Sequence, residues 1–197
     1  MPSQVSAFAV FFASIFTSNI LLTNYLGMCS FLAVSKEMKT SVGLGAAVTF
    51  VLAVTTPLNW LVYHYLLIPF NLEYLRFIVF IIVIAAFVQL TEMTLERYSE
   101  PLYQSLGIFL PLITVNCAIL GASLFMVIRE YTFITSLLFG LGSGIGWLLA
   151  IVAMSGIRTK LRTANIPPAL EGPGISLIIA GFMAMAFMGF SGMIAVS

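Results

Sequence analysis

A chain of 197 residues that is 61% hydrophobic and only 8% charged lies far from a water-soluble domain, where about half the residues are apolar and roughly a quarter are charged. It reads as an integral membrane protein with almost nothing left over for an aqueous domain, which excludes catalysis on a soluble substrate by this chain alone. A net charge of +1 gives no basic footprint for nucleic acid.

Short charge clusters cut the chain into six apolar segments, each near or above the roughly 20 residues that cross about 30 Å of hydrocarbon. No alternating strand pattern is present, so the spans are expected to be α-helices, whose backbone groups are satisfied within the segment. The first covers residues 5–34. The first basic residue of the chain is Lys36, so no basic leader region precedes this span, and the amino terminus is expected to be the mature first span. Thirty residues of helix would reach about 45 Å, too long for one straight crossing. Asn19, Thr23, Asn24 and Gly27 lie just before Cys29 and predict an interruption near the midplane.

The second span, 40–66, ends in Trp60, Tyr63, His64 and Tyr65, which suit an outer interfacial belt. His64, the one histidine, is read there as an interfacial residue. The third span, 72–95, closes on Gln89, Thr91 and Glu92, with Glu96 and Arg97 one turn on. A charge at the bilayer centre costs about 2.5–3.5 kcal/mol on insertion scales, so the depth of Glu92 decides between an ion-pathway acid and an interfacial one. The neighbouring charges favour the interface.

The fourth span, 101–128, shares the peculiarity of the first: Gly107, Pro111, Thr114 and Asn116 precede Cys117. Pro111 lacks an amide donor and its ring clashes with the preceding turn, which predicts a second break. In the fifth, 133–156, Gly140, Gly142, Gly144 and Gly146 form two overlapping small-xxx-small pairs, expected to serve close helix packing. The sixth covers 174–196, with Gly181 and Gly189 assigned to packing as well.

Six spans put both termini on one side. The loops after spans one, three and five hold Lys36, Lys39, Arg97, Arg158, Lys160 and Arg162, against only Arg76 and Arg129 opposite. The positive-inside rule makes the first group cytoplasmic and both termini periplasmic. Aligning Cys29 with Cys117 also aligns Leu32 with Leu120 and Ser35 with Ser123, and divides the chain into two three-span units, 1–98 and 99–197. An odd number of spans per unit makes such repeats inverted.

Two cysteines at matched positions, each beside a break, admit several chemistries. They can pack as small apolar residues or pair as a disulfide across the pseudo-twofold axis. Zinc lacks further ligands at suitable spacing. A two-iron cluster needs four thiolates, so this chain would supply half and a homologous partner the rest. Asn24 and Asn116 could coordinate sodium through side-chain oxygens, although capping of broken backbone is the commoner use of such residues. The competing class is half of a secondary transporter or channel, with incidental cysteines.

The stretches Leu26-Gly27-Met28-Cys29-Ser30-Phe31-Leu32-Ala33-Val34-Ser35-Lys36 and Leu106-Gly107-Ile108-Phe109-Leu110-Pro111-Leu112-Ile113-Thr114-Val115-Asn116-Cys117-Ala118, with Ile166-Pro167-Pro168 and the closing Phe187-Met188-Gly189-Phe190-Ser191-Gly192, carry a resemblance over nearly the whole chain. It resembles the family that contains the E-type membrane component of the bacterial sodium-translocating NADH:quinone oxidoreductase and the A-type component of the related Rnf complex. Met28, Val115 and the run Gly142–Trp147 lean toward the E type, whereas residues 67–72 and 89–93 have an Rnf flavour. The resemblance implies an inner-membrane protein in which Cys29 and Cys117 ligate a [2Fe-2S] cluster shared with a paralogous subunit of opposite topology. It also implies partners that hold NAD, flavins and quinone, among them an NADH-oxidising one on the cytoplasmic side and a flavin-bearing one outside.

Overall fold

A computed structural model describes residues 7–98, 110–163 and 172–189, and all regular structure among them is helical. Gly107, the motif Ile166-Pro167-Pro168 and the end of the sixth predicted span from Phe190 onward lie outside the described residues.

The first apolar segment is two short helices, α1 (Ala7–Ile15) and α2 (Met28–Val34). Between them the chain turns irregularly, with Ser18 N–H donating to Ala13 at 2.7 Å and Leu26 N–H to Ile20 at 3.2 Å. α3 (Met38–Val62) continues through Pro57 and ends in a wider π turn, Tyr63–Leu67. A 3₁₀ turn, Glu73–Leu75, leads into α4 (Arg76–Tyr98). The fourth segment is broken like the first: α5 (Leu110–Thr114) stops at Val115-Asn116, and α6 (Cys117–Ile128) follows. α7 (Phe133–Leu161) and α8 (Pro173–Met188) complete the fold.

Four stretches are long and apolar enough to cross a membrane: Met38–Leu67, Glu73–Thr94, Pro111–Ile128 and Phe133–Leu161. The Glu73–Thr94 stretch is only 17% buried, and Phe77, Ile78, Ile81 and Ile82 are exposed along it. An all-round apolar helix with so little cover is suited to hydrocarbon or to another membrane chain.

The centre is the antiparallel pair α3 and α7, with α1 laid on α7 and α6 on α3. The four glycines of α7 serve two different neighbours. A Cβ at Gly144 would sit 2.7 Å from Thr49 Cα, and one at Gly140 2.7 Å from the Leu52 carbonyl, so this pair admits α3. A Cβ at Gly142 would sit 2.7 Å from the Phe11 carbonyl, and one at Gly146 3.0 Å from that of Ile15, so this pair admits α1. Spacing of four residues puts each pair on its own face, and backbone approach replaces side-chain interdigitation there. The α8 glycines differ from expectation. Among the described residues nothing lies within 4 Å of a Cβ at Gly181, and one at Gly189 would meet only Ala186 of its own helix. Neither packs against another element described here, because α8 touches the rest of the bundle on other faces.

α7 extends past its predicted end to Leu161 because its last turns are bound. Arg158 Nη1 donates to the Leu32 carbonyl at 2.9 Å and to Ser35 Oγ at 2.7 Å, and Arg162 Nη2 to the Lys36 carbonyl at 2.7 Å. A guanidinium thus satisfies carbonyls left open at the end of α2, a favourable place for positive charge. At the other end of the molecule Trp60 Nε1 donates to the Tyr131 carbonyl at 2.8 Å, and its ring stacks on His64 at 4.9 Å.

Candidate functional site at the two helix breaks

Each break requires its freed backbone groups to find partners, because an unpaired buried amide costs about as much as a lost hydrogen bond. In the first segment Asn19 performs this task. Its Oδ1 accepts from Leu21 N–H at 3.0 Å and Leu22 N–H at 3.4 Å, and its Nδ2 donates to Gly146 O at 2.9 Å and Ile15 O at 3.1 Å. The side chain is fully buried and ties the break to α7. In the second, Asn116 is the N-cap of α6 and accepts from Ala118 N–H at 3.0 Å.

The breaks also meet each other. Gly27 takes a left-handed conformation (φ 86°) just before α2, which aims its N–H across the repeat boundary at Cys117 Sγ, 2.9 Å away. Ser30 Oγ donates to the Gly27 carbonyl at 3.0 Å and accepts from Asn116 Nδ2 at 3.3 Å. A Cβ on Gly27 would lie 2.8 Å from Trp147 Nε1 and 3.0 Å from Asn116 Oδ1. Both the backbone angle and the space therefore call for glycine.

Both thiols are free, Cys29 exposed and Cys117 half-buried. Cys29 lies in the first turn of α2, two residues from Gly27, and Cys117 opens α6. The Gly27 N–H is directed at the Cys117 sulfur, which stands in the first turn of α6. Among the described residues no group of three or more histidines, cysteines or acids converges. A four-thiolate centre held here would need two ligands from another chain, and the exposed Cys29 gives access for them. The donor set and its hydrogen bonding thus fit half of an iron–sulfur site.

Asn24, unlike Asn19, is exposed on the turn between α1 and α2. Glu92 is half-buried on α4, two residues before the apolar stretch ends at Thr94, and is not bonded into the junction. Asn19 was readable from the sequence only as one of three polar residues near the first break, with Thr23 and Asn24. Trp147, fully buried beneath Gly27, gave no signal beyond its place in a glycine run.

Residues 7–194 match a family described as Rnf-Nqr subunit, membrane protein. A curated relative, the E-type component of the Na(+)-translocating NADH-quinone reductase of Psychromonas ingrahamii, is 54% identical over 194 residues, covering 93% of this chain and 96% of the relative.

Proposed function

The chain belongs to the Rnf-Nqr family of membrane subunits, and from that premise we propose that it is the E-type component of a sodium-translocating NADH:quinone reductase. Its part is to carry electrons through the membrane interior at a [2Fe-2S] cluster shared with a paralogous subunit of opposite topology, contributing to redox-driven sodium export. Bound there, the cluster supplies one-electron transfer. Cys29 and Cys117 hold this chain's half, and Gly27 N–H stabilises the thiolate charge on Cys117.

The observation that carries this reading is the 2.9 Å contact from Gly27 N–H to Cys117 Sγ, which joins the first break, two residues before Cys29, to the cysteine of the second. The identity to an E-type relative favours the sodium-pump type over the Rnf type. In the proposed arrangement α1 with α2, and α5 with α6, each count as one interrupted span, which gives six spans in two inverted units. NAD, flavins and quinone belong to other subunits. Both termini face the periplasm of the inner membrane, and the basic residues drawn together by Arg158 and Arg162 face the cytoplasm.

The test is iron content and the reduced-cluster EPR signal of the purified complex bearing Cys29→Ala or Cys117→Ala. Each substitution is expected to remove the signal of this cluster and two irons per complex. An unchanged signal in both variants overturns the proposal.

A further inference from the structure

Away from the cysteines, three fully buried side-chain oxygens on facing stretches of α3 and α7 have no hydrogen-bond partner: Thr56 Oγ1, Asn59 Oδ1 and Ser136 Oγ. The antiparallel register brings their positions to one level of the bundle. The Gly140 position touches Thr56, with a Cβ there 2.9 Å from Thr56 Oγ1, and Phe133 packs on Trp60 with ring centroids 5.5 Å apart. Ser136 lies between Phe133 and Gly140 on α7, one turn from the latter on the same face. Thr56 and Asn59 lie one turn apart on α3, immediately before Trp60. With the Ser123 Oγ proton given to the Ile119 carbonyl at 3.2 Å, Ser123 Oγ accepts from Asn59 Nδ2 at 2.7 Å. Asn59 Oδ1 is then left without a partner.

Asn59 Oδ1 cannot donate, so what completes this cluster must bring positive charge or protons. The set is neutral, made of two hydroxyls and an amide. A divalent ion would leave its charge uncompensated in an apolar interior, whereas such oxygens and helix carbonyls suit sodium at membrane depth.

We infer that Thr56, Asn59 and Ser136 form a binding site for a dehydrated sodium ion between α3 and α7. The inference rests on the reading of the chain as part of a sodium-translocating complex and assigns one ion to this chain. It is tested on the whole purified complex by equilibrium binding of radioactive sodium and by the sodium concentration that half-saturates quinone reduction, with potassium as the comparison cation. The double variant Thr56→Val with Ser136→Ala removes two oxygens at nearly constant volume. It is expected to lose one bound sodium per complex, or to raise the half-saturating concentration at least tenfold, with the EPR signal retained. Asn59→Asp should tighten sodium binding at least tenfold, a gain that a merely water-filled polar cluster would not give, and it reads the site even where the double variant fails to assemble. Unchanged binding in an assembled double variant, or no tightening in Asn59→Asp, overturns the site. A wild-type complex that neither binds sodium nor responds to it would instead overturn the sodium-translocating reading.

Discussion

Three asparagines beside the breaks look alike in sequence and differ in place. Asn19 is buried and bonds four backbone groups, Asn116 caps α6, and Asn24 is exposed. Composition places polar residues near a break, but which of them faces inward depends on the path of irregular backbone, where no helical period applies. Gly27 is the residue on which the junction turns. Gly27→Ala must adopt a left-handed angle, a cost of roughly 1–2 kcal/mol, and bring a methyl to 2.8 Å from Trp147 Nε1. Relief of that contact would pull the Gly27 N–H from Cys117 Sγ. The expected outcome is a lower midpoint potential for the cluster in redox-titrated EPR, because a hydrogen bond to a ligating sulfur stabilises the reduced form, together with an unfolding temperature lower by several degrees. An unaltered potential would detach Gly27 from the site.

The elements obey the same contrast between pattern and environment. The glycine pairs of α7 were readable as packing motifs from spacing alone, and the structure adds that they address two partners, α3 through Gly140 and Gly144 and α1 through Gly142 and Gly146. Gly181 shares the residue type without the contacts. Gly144→Leu should therefore force α3 and α7 apart and destabilise the complex by several kcal/mol, as overpacking of a tight backbone contact requires. Gly181→Ala should leave the unfolding temperature unchanged or raised, since an open helical site gains about 0.5–1 kcal/mol from the better helix former. Thermal unfolding of the two variants in the same detergent checks this. Equal losses would mean that α8 is covered by another chain at Gly181.

At the scale of the whole molecule, the apolar segments and both breaks were readable in the sequence because bilayer thickness bounds the length of a span and polar residues gather at each break. Pro111 itself, however, lies inside α5, and the second break falls after it at Val115-Asn116. The junction was not readable. It depends on α7, which reaches back to the first segment through Gly146, Trp147 and Arg158, and such contacts span more than a hundred residues. Arg158 and Arg162 also bear on orientation. They bond Leu32, Ser35 and Lys36, so the basic ends of two segments meet at one face of the protein, and a face carrying Lys36, Lys39, Arg158, Lys160 and Arg162 resists translocation. Under the proposed arrangement of six crossings with that face cytoplasmic, the carboxyl terminus is expected outside. Alkaline phosphatase fused after Ser197 is expected to be active in intact cells and green fluorescent protein at the same place dark, while fusions in the 35–37 connection give the reverse. Fluorescence from both the carboxyl-terminal and the 35–37 fusions would require an odd number of crossings, and the two units could not then be inverted copies of three spans each.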